Sequence, residues 1–173
     1  MASSSSSSSS SKHKYDVFLS FRGVDTRDNI TSHLHSALVR NKIETYIDNN
    51  LERGDEISPA LLKAIRESKL SVVVFSEKYA TSSWCLDELV HILDCKRGIG
   101  QFVIPIFYNI DPSHVRTQEG SYATAFDELK VRFMGNMERL QKWKAALNEA
   151  ANLSGFDSSN IRLIFFIIIF SLL

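Results

Sequence analysis

The sequence predicts an open, doubly wound α/β sheet of parallel strands, and three features carry that expectation. Short apolar runs alternate strictly with longer segments of helical period along the 173 residues,. The third and fourth runs are almost continuously hydrophobic, as strands covered on both faces are. Strand and helix in alternation require crossover connections that lay helices on both sides of a parallel sheet. No internal repeat divides the sequence.

Tyr15–Phe21 (YDVFLSF) is the first strand candidate and Ile43–Ile47 (IETYI) the second. Leu70–Phe75 (LSVVVF) and Phe102–Tyr108 (FVIPIFY) are the third and fourth. Their β-branched and aromatic content supports extended backbone, although Pro105 inside the fourth argues for an edge or a bulge. Asn29–Arg40 reads as the first helix, with Ile30, Leu34, Ala37 and Leu38 on one face,. Ser58-Pro59 is a cap followed by proline at the first helical position, opening Ala60–Glu67,. Ser83–Lys96 is the next helix; Tyr122–Phe133 and Glu138–Leu153 follow a loop over Asn109–Gly120. The sum is a small sheet of about five strands in flavodoxin-like order.

Ser3–Ser11 is an unbroken serine run with no apolar content, so residues 1–12 read as a disordered leader to a domain over residues 13–162,. Twenty basic and twenty acidic residues cancel, which argues against nucleic acid as a partner,. Cys85 and Cys95 lie in one helical pattern, about 15 Å apart along it, too far for a disulfide,. With no signal-peptide core after Met1, the expectation is a reduced, cytoplasmic or nucleo-cytoplasmic protein,. Residues 163–173, LIFFIIIFSLL, reach about 16 Å as a helix against a hydrocarbon core of about 30 Å, so no membrane span is expected,. A buried strand, a last helix and a sticky tail all remain open for them.

Ligands of such sheets bind outside the carboxyl ends of the strands, at the switch in strand order. Four loops qualify: Arg22–Arg27, Asp48–Glu56, Ser76–Ser83 and the segment after Asn109. On the wheel of Ser83–Lys96, Leu86, Leu89, Val90 and Leu93 form the core stripe. Trp84 and Glu88 fall about 40° apart and off it, near His91 and Cys95. Spacing alone leaves two readings: a capped helix whose tryptophan packs on a loop, or a carboxylate beside an aromatic wall. Arg22, Arg27 and Arg53 would flank the same cleft, where guanidinium groups beside Gly23 and Gly54 suit a diphosphate.

Several chemistries are set aside. Neither G-x-G-x-x-G nor G-x-x-x-x-G-K-[ST] is present, so the usual phosphate cradles are missing,. Strand one begins rather than ends with its carboxylate, Asp16, and strand three ends in Ser76, unlike a phosphate receiver. The histidines lack metal-ligand spacing, and Cys85 has no evident base,.

Tyr15–Arg27 (YDVFLSFRGVDTR) resembles the opening motif of plant TIR domains, the Toll/interleukin-1-receptor-like modules of disease-resistance receptors. Leu51–Ile57 (LERGDEI) is similar to their second-strand loop and Ser83–Leu89 (SWCLDEL) to the start of their third helix. Phe102–Arg116 and Leu153–Asp157 continue the match in order. The resemblance implies a flavodoxin-like fold and cleavage of NAD+ to nicotinamide and ADP-ribose or cyclic variants, in immune signalling that depends on self-association. By motif, Glu88 would be the catalytic glutamate. Arg22, Gly23, Val24, Asp25, Thr26, Arg27 and Gly54 would line the dinucleotide site, with Ser82 and Trp84 beside the reacting ribose. NAD+ is then a substrate, and neither a resident cofactor nor a metal is implied. Ser32 and His33 would sit at a contact with other TIR domains. The apolar end departs from the family's acidic, amphipathic last helix, which keeps a second reading alive: a non-catalytic adaptor or decoy that binds other TIR proteins.

Overall fold

A computed structural model describes residues 13–48 and 57–173. Its parallel sheet has the order β2-β1-β3-β4-β5. The strands are β1 (Tyr15–Phe21), β2 (Thr45–Ile47), β3 (Ser68–Phe75), β4 (Phe102–Phe107) and β5 (Phe156–Asp157). The helices are α1 (Gly23–Thr26), α2 (Ser32–Arg40), α3 (Pro59–Arg66), α4 (Ser83–Ile99), α5 (Pro112–Thr117), α6 (Ser121–Arg132), α7 (Met137–Ala151) and α8 (Ile161–Leu172).

Side-chain alternation along β1 sorts the core into two layers. Val17, Leu19 and Phe21 point to one face, where Ile30, Leu34 and Leu38 pack on them together with Ile164 and Ile168 of α8. Phe18 points to the other, against Ile65 of α3, Leu86 and Leu89 of α4 and the aromatic groups of α6 and α7. Ser20 shares the Phe18 face and is fully buried. A polar residue thus enters the α4 side of the sheet, at the carboxyl end of β1.

The structure departs from the sequence expectation in several places. Of the alternatives left open for the apolar end, the last helix is the one observed: residues 163–172 fall in α8, with Ile164 and Ile168 fully buried while Phe166 and Phe170 stay largely exposed. Sheet contacts settle what a uniformly apolar run leaves open. The first helix is broken: α1 and a π-type turn over Arg27–Thr31 precede α2, with a kink at Asn29. Thr26 holds that turn by donating to the Arg22 carbonyl at 2.8 Å and accepting from Thr31 at 3.1 Å. Pro105 lies in an interior strand rather than at an edge or bulge. It is tolerated because β5 meets β4 only at Ile106 and Phe107, leaving no ladder on that side at Pro105. Gly155 fits there because a Cβ would come within 2.9 Å of Pro105. The loop over Asn109–Gly120 contains α5, capped by Asp111, whose carboxylate accepts from the Ser113 amide at 2.7 Å.

Candidate functional site

Helix α4 starts at a serine cap: the Ser82 hydroxyl accepts from the Cys85 amide at 3.1 Å. That cap fixes the first turn, placing Trp84 half-buried at the mouth of a cavity and Glu88 one turn deeper,. The cavity encloses about 350 Å³ at the carboxyl end of β1. Glu88, Trp84, Arg22, Arg27, Asp28 and Asp48 supply its polar and aromatic lining, Gly23 and Val24 part of its rim.

Glu88 is 4% exposed, so the carboxylate expected at an outer rim lies in the interior. The wheel misleads because α3 covers the flank it treats as outward: His91 bonds to the Leu62 carbonyl at 3.2 Å, and Cys95 is buried too. Burial pushes the Glu88 carboxyl up to about 8. The Ser20 hydroxyl opposes that rise, whereas the negative Asp48 adds to it,. Across the cavity Arg27 lies over the Phe21 ring at 5.1 Å. Gly23 lets this guanidinium pass close to the backbone, since a Cβ there would stand 3.0 Å from its Nε.

Not every motif residue reaches the cavity. Asp25 accepts from the Lys78 amide at 3.0 Å and ties the first loop to the third. Thr26 serves the backbone turn described above, and Ser82 serves the cap; none of these lines the cavity. Gly54 and Arg53 lie outside the described residues. Ser32 and His33 are exposed on α2, and His33 borders a groove of about 600 Å³ between α2 and α8 whose floor includes Leu34 and Phe165. Sequence reasoning passes over Asp28, Asp48 and Ser20. The signal for Ser20 is its polarity inside an otherwise apolar strand, and for Asp48 its place directly after β2. Among the described residues no cluster of His, Cys, Asp and Glu is arranged to hold a metal ion. Nor is any helix long and apolar enough to cross a membrane.

The TIR-domain family model matches residues 14–164. The chain belongs to the TIR family. It is 56% identical over 155 residues to the disease resistance protein RPV1 of Vitis rotundifolia, covering 90% of this chain and 11% of that protein. It is also 56% identical over 156 residues to the TMV resistance protein N of Nicotiana glutinosa, covering 90% of this chain and 13% of that protein. The TIR domains of the activated Roq1 resistosome, which recognises the pathogen effector XopQ, superpose with a TM-score of 0.83 at 44% identity. That match covers 89% of this chain and 99% of the Roq1 TIR chain. This TIR domain thus spans little more than a tenth of the length of the curated relatives named here.

Proposed function

We propose that this TIR domain cleaves the nicotinamide–ribose bond of NAD+, with Glu88 as the catalytic carboxylate. The observation that carries the reading is one buried carboxyl at the floor of a cavity walled by an indole and two guanidinium groups. Arg22 and Arg27 suit the diphosphate, Trp84 offers a flat face to the nicotinamide or ribose, and Asp28 and Asp48 offer acceptors for hydroxyls. A pyridinium leaves as neutral nicotinamide, taking the bonding electron pair and needing no proton. One carboxylate near the ribose then suffices to stabilise the oxocarbenium-like transition state, where most glycoside hydrolases use two. Water attacks the ribose carbon and a proton is released, giving nicotinamide and ADP-ribose; attack by a hydroxyl of the substrate gives a cyclic product.

An elevated Glu88 carboxyl fits this chemistry. The cationic ring of NAD+ favours the ionised form, so binding releases the proton and creates the anion where positive charge develops,. We further place the domain in cytoplasmic defence signalling that depends on TIR self-association. Cys85 and Cys95 are not joined in a disulfide, which suits a reducing compartment,, and the Roq1 TIR domains come from an assembled resistosome. The groove between α2 and α8 favours a second reading, an adaptor that only binds other TIR domains. Incubating the purified chain with NAD+ and following nicotinamide by chromatography separates the two. Release by wild type and none by Glu88→Ala is expected; no release across a wide concentration range, or equal release by both, overturns the enzymatic reading.

A further inference from the structure

Helix α8 has two apolar sides, and the sheet covers only one of them. Ile164 and Ile168 pack on β1, whereas Leu163, Phe166, Phe170 and Leu173 are turned to water. Their spacing puts all four on one stripe, about 15 Å long at the helical rise. Phe166 is 73% exposed and Phe170 79%, so the stripe leaves roughly 500 Å² of apolar surface in water,. That is the upper end of what monomers expose, and patches of this size commonly have a use. Ile99 and Phe102, also exposed, extend it past the end of the helix, where they share a hollow with Leu173.

The surroundings of the stripe select its partner. Neither α2 nor α8 contains an acidic residue, and Arg40, Arg162 and His33 border the groove between them. Arg40 and Arg162 make no ion pair among the described residues. At the far end Lys69 and His13 border the hollow, although Lys69 is already bound to Asp16 at 2.6 Å. The stripe itself offers no hydrogen-bonding side chain: Ser171 donates to the Ile167 carbonyl of its own helix at 2.8 Å. A stable protein interface buries about 800 Å² per partner and carries about one hydrogen bond per 100–200 Å². A bilayer asks for neither, only for apolar side chains below its surface and cations at its headgroups.

We propose that α8 is an interfacial membrane anchor: Leu163, Phe166, Phe170 and Leu173 enter the headgroup–acyl boundary of an anionic bilayer, and Arg40 and Arg162 meet its headgroups. The helix lies in the membrane plane, since its 12 residues reach only about 18 Å and do not span,. The arginine stems run along apolar surface and carry their charges outward to the lipid. Helix α4, with Glu88, packs on the opposite face of the sheet from α8. Docking of this kind therefore needs neither Glu88 nor turnover.

Co-sedimentation of the full chain with phosphatidylcholine vesicles, with and without phosphatidylserine, tests the anchor. Wild type should sediment with the mixed vesicles, and less with neutral ones or at high salt. The double variant Phe166→Ser/Phe170→Ser removes exposed rings only and should weaken binding by about tenfold or more. Arg40→Gln and Arg162→Gln should each weaken it about fivefold on mixed vesicles and leave it unchanged on neutral ones. Should the serine variant melt below wild type, the two arginine variants, both at exposed positions, carry the test alone. No sedimentation by wild type, or equal sedimentation by wild type and all variants, overturns the anchor. So does a wild-type oligomer that ignores vesicles and is dissolved by the same two serines, because the stripe then belongs to a second copy of the chain.

Discussion

Asp87 and Glu88 are adjacent acids on one helix, and the fold treats them in opposite ways. Asp87 is saturated with donors: Trp143 Nε1 at 2.7 Å, Arg139 Nε at 3.3 Å and a further contact from the Arg139 guanidinium. Glu88, more deeply buried, faces a serine hydroxyl and another carboxylate, Asp48. Asp87 ties α4 to α7 through partners that match its charge,. Glu88 is left with its charge uncompensated by the fold, so an incoming cation can supply what is missing. Stability is spent at one position and gained at the next, the pattern expected where a site must react.

That contrast can be broken by substitution. The largest effect belongs to Glu88→Ala, which should lower nicotinamide release by about a thousandfold while the far-ultraviolet circular dichroism stays that of the wild type. Asp87→Ala should do the reverse. It strands the Trp143 indole and the Arg139 guanidinium, so denaturant unfolding should show a loss of about 3 kcal/mol, with turnover per folded molecule kept within about twofold.

Protonation sharpens the same comparison. The folded state holds a proton on Glu88 up to about 8, whereas an ordinary glutamate releases it near 4.5. Its contribution to stability is therefore complete in acid and is lost as pH climbs through that window. Glu88→Gln, which stays neutral, should exceed the wild type by about 3 kcal/mol at pH 8 and show no advantage near pH 4. Melting both proteins across that range reads the sign directly; parallel curves would mean that Glu88 ionises freely in the folded protein. The smallest effect is expected at Trp84, which is half-buried at the cavity mouth. Trp84→Ala should lower kcat/KM by about tenfold and stability by less than about 1 kcal/mol.

Much of this was legible locally. Strand β1 was read with its observed limits, since alternation and β-branched content act over a few residues,. The start of α4 at Ser83 was read as observed, and that of α3 followed from Ser58-Pro59. Other features needed partners distant in sequence. The two-residue β5 has no periodicity of its own and exists because Ile106 and Phe107 pair with it. The buried flank of α4 at His91 and Cys95 depends on α3, about thirty residues earlier along the chain,. Among the motif residues, Arg22, Gly23, Val24, Arg27, Trp84 and Glu88 converge on one cavity, while Asp25, Thr26 and Ser82 hold loops and caps around it.

By itself the sequence determined which residues could form strands and helices, and which side chains carried charge, hydroxyl or ring. Periodicity and capping are properties of neighbouring residues. Only the tertiary structure decided that Glu88 lies beneath the surface, close enough to Ser20, Tyr79 and Asp48 for each to act on it or be acted on by it. Solvation and long-range electrostatics are set by what packs around a group, and those surroundings come from four separate stretches of chain.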